Sequence, residues 1–308
     1  MSQSDKAAAV PSSRLARLAR LGSLASGVAG GMLAEGVRQW SRGNRPSVGD
    51  LLLTPGNAQR VADQLSRLRG AAMKVGQLLS MDAGDLMPPE LAAILARLRA
   101  DAQAMPMSQL VPVLEAAWGA GWDRHFERFS FTPLAAASIG QVHAAQLKSG
   151  ERLAIKVQYP GVRQSIASDV DNVATLLRVS GLLPRTLDFA PLLEEAKRQL
   201  HDEADYLKEA AYLEAYRGRL ADHGDFALPT VHRALTTPDI LAMGFMDGVP
   251  IESLDAAPQA ERDRVLGLLF ELLFREIFEF RCVQTDPNFA NYRYDEASVR
   301  QVLLDFGA

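Results

Sequence analysis

The chain has a single cysteine, Cys282, and so can form no internal disulfide, which suits a reducing compartment. Its five histidines are scattered, and with one cysteine they make no cluster of zinc-ligand spacing. Positive charge is not in excess. The 33 Lys and Arg against 37 Asp and Glu leave a net charge of −4, which removes the electrostatic case for a nucleic-acid partner. No apolar run reaches the roughly 18 residues that a bilayer span needs. The first ten residues are polar and Ala-rich without an apolar stretch, and no secretory signal is expected there. What remains is 308 residues, 48% hydrophobic, with room for a large core or for one two-lobed domain and an extension.

The first 48 residues form a basic arm. Arg14, Arg17 and Arg20 recur among Leu15, Leu18, Leu21 and Leu24, an amphipathic helix pattern. It suits a peripheral membrane or lipid contact, with packing on the protein itself as the alternative. Residues 50–120 read as helix, with Leu65, Leu68, Ala72, Val75 and Leu79 as a core stripe; Pro88-Pro89 ends that region and Glu90–Ala100 starts a second helix. From Phe126 the texture changes to strands, expected at Phe129–Leu134, Gln141–Leu147 and Arg152–Gln158, with a hairpin turn at Lys148-Ser149-Gly150-Glu151. Helices are expected over Val162–Gly181 and Ala190–Leu220. Strands follow between Leu228 and Ile251, then a Gly-containing link at Met246-Asp247-Gly248, then a long apolar helix over Gln259–Phe280.

Four places carry chemistry. Lys156 sits inside the apolar third strand, where an unpaired ammonium is costly; it either meets a phosphate in a wet cleft or snorkels to water. Asp286 is followed five residues on by Asn291, and a short hairpin then leads to Asp305-Phe306-Gly307. That is the pattern with which the protein-kinase fold holds metal and phosphate: Asp286 would accept a substrate proton, while Asn291 and Asp305 offer oxygens to Mg²⁺. The turn that should cover the nucleotide reads Ala135-Ala136-Ala137-Ser138-Ile139-Gly140, with alanines where kinases place glycines, so it should be stiffer. Gln284 and Asn288 stand where typical kinases have His and often Lys. On the helix at Ala190–Leu220, Glu203 lies on an apolar stripe and must be paired or protonated. One acid of that helix should meet Lys156; periodicity favours Glu203 as the most buried and does not decide the pairing. Finally, Lys74-Val75-Gly76-Gln77 puts a glycine mid-helix beside a lysine. Close approach to another element would explain it, but from the residues alone a surface lysine and a chance glycine is preferred. The element order is that of a kinase small lobe entering its large lobe, an α+β class.

Together these residues resemble the UbiB family of atypical, protein-kinase-like proteins. The matching pieces are Lys74-Val75-Gly76-Gln77 (K-x-G-Q), the Ala-rich turn continuing through Gln141-Val142-His143, Ala154-Ile155-Lys156, Glu203-Ala204-Asp205-Tyr206 (E-x-D), the segment Gln284 to Asn291, and Leu304 to Ala308. The wording around Asp286 is similar to the branch containing the mitochondrial coenzyme Q ATPases. The resemblance implies an ATP- and Mg²⁺-dependent ATPase or unorthodox kinase that supports ubiquinone biosynthesis. It implies that Asp286, Lys156 and Lys74 are catalytic, and that Asn291 and Asp305 hold metal. Ala135, Ala136, Ala137, Ser138, Lys156, Glu209, Met243 and Met246 would line the nucleotide, Glu209 as the helix partner of Lys156 and Met243–Met246 as the hinge at adenine. Lys74 and Gln77 would pair with Glu203 and Asp205. On a straight helix those two acids point about 200° apart, so both reaching Lys74 would need a bend or a helix end.

The expected organisation is a basic arm (1–48), a helical K-x-G-Q extension (49–122), a kinase-like small lobe (123–246) and the start of a large lobe (247–308). The chain is expected to be a fragment cut just after Asp305-Phe306-Gly307, with turnover belonging to the longer protein and apolar faces left exposed on Gln259–Phe280. Expected partners are nucleotide, a membrane surface and quinone-biosynthesis enzymes. The expected location is cytoplasmic, peripheral on the inner face of a bacterial membrane, or mitochondrial in a eukaryote. Two other readings stand: a non-catalytic pseudokinase scaffold that binds lipid, and a conventional Ser/Thr kinase, against which the Ala-rich turn, Gln284 and Asn288 argue.

Overall fold

The computed structural model describes residues 63, 65–83, 92–96, 104–179, 189–284 and 289–306. The basic arm, Pro88-Pro89, Asp286 and Asn288 lie outside these described residues, as do Gly307 and Ala308. The chain falls into two units. One holds Met1–Leu110, Ala136–Gln141 and Gln158–Ala204; the other holds Val111–Ala135, Val142–Val157 and Asp205–Ala308.

The first unit is helical. Helix α1 (Arg69–Ala83) brings the expected stripe, with Leu65 just before it, into a core: Leu65, Ala72, Val75 and Leu79 are buried, and Leu68 packs against them. Helix α2 (Met107–Trp118) begins here and continues along the chain into the second unit. Helix α3 (Val162–Val179) contributes Val170, Val173 and Leu177 to the same core, and α4 (Ala190–Glu203) contributes Ala196 and Leu200. Each fully buried Leu or Val contributes about 1.5–3 kcal/mol relative to exposure, so apolar burial holds this unit together.

The helix expected over Ala190–Leu220 is two helices, α4 and α5 (Tyr206–Arg219). Local polar groups explain the break. The Ala204 carbonyl accepts from Gln158 Nε2 at 2.7 Å and from Arg163 Nη2 at 2.5 Å, which takes it out of the helical ladder. Asp205 then caps the next helix, its carboxylate accepting the Lys208 amide at 3.1 Å.

The second unit is α+β. Strands β1 (Phe126–Ala136), β2 (Gly140–Leu147), β3 (Arg152–Gln158) and β5 (Ile240–Gly244) form a sheet in that order, with β3 antiparallel to β5. Only the inner ends of β1, β2 and β3 belong to the helical unit. The β2–β3 hairpin turns where expected, on Gly150 at φ +91°, where a Cβ would be strained. A second small sheet has the order β4 (Phe226–Ala227), β8 (Arg300–Leu303), β7 (Tyr292–Asp295), β6 (Val249–Pro250). Helix α6 (Gln259–Phe274) buries Val265, Leu268 and Leu272 and passes into a π-helical turn, Arg275–Phe280, where a single α-helix was expected. Leu266, Phe270, Phe274 and Phe278 recur at i,i+4 on its exposed side. Among the described residues no helix is long and apolar enough to cross a membrane.

Candidate nucleotide and metal site

Lys156 lies in β3 opposite Leu241 of β5, between Ile155 and Val157, both fully buried. A strand places alternate side chains on opposite faces, so Lys156 points away from its two neighbours. Its Nζ donates to Glu209 Oε1 of α5 at 2.7 Å and lies 3.4 Å from Asp305 Oδ2. It also stands 5.2 Å from the centre of the Tyr206 ring. Burial alone would pull the lysine pKa down, but the carboxylates of Asp305 and Glu209 outweigh it and hold the pKa well above the usual value. Lys156 is therefore a fixed cation. Glu209 is only 3% exposed, so the acid that meets Lys156 is also more buried than Glu203, whose side chain is 16% exposed. Periodicity pointed to Glu203 because it treated α4 and α5 as one helix; the break resets the phase.

Asn291 and Asp305 flank the β7–β8 hairpin. Tyr292 pairs with Leu303, and the Leu304 amide donates to the Asn291 carbonyl at 3.0 Å. The hairpin thus brings two oxygen-bearing side chains to the same end of one ladder. Asp305 is partly open, its side chain 34% exposed. Among the described residues no group of three or more His, Cys, Asp or Glu stands ready to enclose a metal. Mg²⁺ in general takes one or two protein oxygens and completes its six with phosphate and water. Phe306 is buried and its ring centre lies 4.6 Å from that of Tyr216.

The other expected residues fall as follows. In the first unit Lys74 is 4% exposed and its Nζ lies 2.6 Å from Glu203 Oε1, so it is no surface lysine. The Ser138 hydroxyl donates to Glu203 Oε2 at 2.7 Å, which ties the Ala-rich turn to the same carboxylate. Gln77 is half-buried on α1, three residues beyond Lys74. Gly76 packs where a Cβ would come within 2.5 Å of both Leu95 methyls. Glu203 ends α4, and Asp205 opens α5, where its carboxylate accepts the Lys208 amide at 3.1 Å. Ala135 and Ala136 are strand residues of β1, and the turn shortens to Ala137-Ser138-Ile139 because the Ala137 amide donates to the Gly140 carbonyl at 2.9 Å. Met243 lies in β5 opposite Ala154, buried in the core of the second unit, and Met246 is half-buried in the link that follows.

Several residues were missed. Gly70 on α1 lies where a Cβ would stand 2.8 Å from the Ser138 carbonyl oxygen. The signal was a second glycine in the expected helical region, six residues before Gly76. Glu276 in the π-helical turn is 4% exposed, and burial raises its pKa above the ordinary carboxylate value. Its signal was an acid continuing the Val265, Leu268, Leu272 stripe at helical spacing. His143, part of the Ala-rich motif, is a buried strut: its Nδ1 lies 2.7 Å from the Ser130 carbonyl and its ring stacks on Phe129 at 5.5 Å. Burial lowers its pKa and that bond only partly restores it.

Residues 97–308 match the model of the ABC1 atypical kinase-like domain. The chain is 41% identical over 303 residues to the mitochondrial atypical kinase COQ8 of Saccharomyces cerevisiae, covering 98% of this chain and 60% of that protein. It is also 41% identical over 301 residues to the mitochondrial atypical kinase COQ8B of Rattus norvegicus, covering 97% of this chain and 57% of that protein. The chain therefore spans less than two thirds of the length of these relatives. Among solved structures it is similar to Rv3197 from Mycobacterium tuberculosis, described in complex with erythromycin. The TM-score is 0.56 at 31% identity, covering 81% of this chain and 64% of that one. The fold is protein-kinase-like.

Proposed function

The chain belongs to the ABC1 (UbiB) family of atypical kinase-like proteins, and on that premise we propose that its second unit binds an adenine nucleotide with Mg²⁺ for ATP hydrolysis or phosphoryl transfer to a small molecule. The observation that carries this reading is Lys156, a buried strand lysine whose Nζ lies 2.7 Å from Glu209 and 3.4 Å from Asp305. Glu209 holds the ammonium in place, and Lys156 then presents positive charge to phosphate oxygens. Asn291 and Asp305 supply the protein oxygens for Mg²⁺, which when bound neutralises phosphate charge. Asp286 would orient the acceptor, water or a small molecule. We further propose that the protein serves ubiquinone biosynthesis at a membrane surface, mitochondrial in a eukaryotic host or the inner face of a bacterial membrane, beside quinone-biosynthesis enzymes. The kinship with mitochondrial atypical kinases supports the first half of that placement.

The test is nucleotide binding and ATP turnover by the full-length protein, with and without anionic liposomes. Mg²⁺-dependent binding that Asp305→Asn abolishes is expected. Absence of any Mg²⁺-nucleotide binding would sink the reading. Complementation of a quinone-deficient strain by Asp305→Asn would replace it with a binding-only scaffold.

A further inference from the structure

Gln284 stands where typical kinases have a histidine, and its surroundings give it a defined task. Its Nε2 donates to the backbone carbonyl of Asp305 at 2.5 Å. Its Oε1 accepts from the Tyr292 hydroxyl at 2.7 Å, and Tyr292 is the first residue of β7, next to Asn291. The Gln284 backbone amide reaches Glu276 Oε2 at 3.4 Å, and Glu276 is itself buried. On the other side of Glu276, the Tyr216 hydroxyl of α5 donates towards Oε1 at 3.3 Å and to the Cys282 carbonyl at 3.0 Å. Tyr216 in turn packs on Phe306. One side-chain amide therefore joins the ends of the hairpin that carry Asn291 and Asp305, and it is anchored to α6's π-helical continuation and α5.

We propose that Gln284 is a positioning residue for the metal: its amide clamps the backbone of Asp305 to Tyr292 and so sets the approach of the Asn291 and Asp305 oxygens to one cation. An amide suits this place because it must donate to a carbonyl and accept from a hydroxyl at once. A carboxylate of the same shape keeps the acceptor but turns the donor into a negative charge facing the Asp305 carbonyl. An imidazole, with one donor and one acceptor nitrogen, meets both demands. The clamp acts on the backbone of a ligand rather than on the ion, as outer-shell partners of metal ligands do. The proposal rests on the reading of Asp305 as a metal ligand.

The experiment titrates Mg²⁺ into the full chain with ADP, alongside ADP binding in EDTA and thermal melting, for Gln284→Glu, Gln284→His, Tyr292→Phe and Asp305→Asn. Gln284→Glu should raise the Mg²⁺ needed for half-saturation about 10- to 100-fold, the usual effect of losing an outer-shell partner. It should leave metal-free ADP binding in place. Gln284→His should recover most of the loss, and Tyr292→Phe should shift the Mg²⁺ requirement in the same direction by less. An unchanged Mg²⁺ requirement in Gln284→Glu, with Asp305→Asn strongly affected, overturns the clamp and leaves the metal site standing. A parallel fall of melting temperature, metal-free binding and Mg²⁺-dependent binding, with no rescue by histidine, also overturns it, since that is what a purely structural glutamine would do. An Asp305→Asn chain with the wild-type Mg²⁺ requirement removes the metal assignment itself.

Discussion

Each unit holds a buried lysine against a glutamate, and the two arrangements differ in which partner does the bridging. In the first unit the acid bridges: Glu203 takes Lys74 from α1 on one oxygen and Ser138 from the β1–β2 turn on the other. In the second the cation bridges: Lys156 takes Glu209 from α5 and Asp305 from beyond β8. A bridging acid that is itself the end of a helix ties a turn to two helices and suits a staple. A bridging cation drawn between a deeply buried acid and a one-third-exposed one leaves the exposed partner able to exchange for a ligand. The same pair of residue types therefore serves cohesion in one region and suits charge exchange in the other.

The comparison breaks first at the lysines. Lys156→Ala leaves Glu209 buried without its cation and should cost about 3–5 kcal/mol by chemical denaturation, as removal of one partner of a buried pair does. Lys74→Ala leaves Glu203 with its serine bond and some water, and should cost about 1–3 kcal/mol. Equal losses would erase the distinction between the two pairs. Lysine protonation will not blur the measurement. A raised pKa means the contribution of Lys156 is fully present below the ordinary lysine value and is lost only as pH rises through the raised one.

The glycines of α1 sharpen the picture of the first unit. Gly70→Ala pushes against a backbone oxygen at 2.8 Å, so the turn must move, and overpacking of this kind costs about 1–3 kcal/mol. Gly76→Ala meets side chain rather than backbone, the Leu95 methyls at 2.5 Å and its Cγ at 3.1 Å, and the gain in helix propensity of about 1 kcal/mol offsets much of the strain. Melting curves that rank the two the other way would show the turn to be the softer neighbour.

In the second unit, Glu276→Gln tests a buried acid that burial penalises. A carboxyl whose folded pKa lies above its ordinary 4.5 binds its proton more tightly in the folded chain. Stability therefore falls as pH rises from the ordinary value through the raised one. The glutamine variant should lose that slope, and its stability relative to the parent chain should rise as the pH passes through the raised value. An unchanged pH profile of the denaturation midpoint would show that Glu276 is held charged by its two donors. The smallest effect belongs to Ala136→Gly. Freeing the backbone at the end of β1 should change nucleotide affinity, or the preference between ATP and ADP, by about two- to fivefold, the equivalent of 0.5–1 kcal/mol. Identical binding constants would take the alanines out of the nucleotide's reach.

Much of this was legible in the residues. The α1 stripe, the three consecutive strands and the Gly150 turn followed from period and turn chemistry, because those signals are local. The family was legible in short motifs set in order from Lys74 onward. The α4–α5 break was not, because Asp205 acts as a cap only once Gln158 and Arg163 have taken the Ala204 carbonyl, and those residues come from distant sequence. The misplacement of the most buried acid followed directly from that missed break. The π-helical turn at Arg275–Phe280 was equally hidden, since its apolar pattern is compatible with an unbroken helix.

The amino-acid sequence by itself determined the α1 stripe, the three consecutive strands and the Gly150 turn, which residues carry charge and which family the chain belongs to, since propensity, periodicity and motif spacing are read along the chain. Tertiary structure alone decided that Ser138 joins Lys74 on Glu203 and that Gln284 reaches the Asp305 carbonyl; the pairs Glu209–Lys156 and Glu203–Lys74, which periodicity left undecided, are those the family resemblance implied. Those choices depend on where a helix stops and on how a hairpin closes, and such events bring together groups that are far apart along the chain.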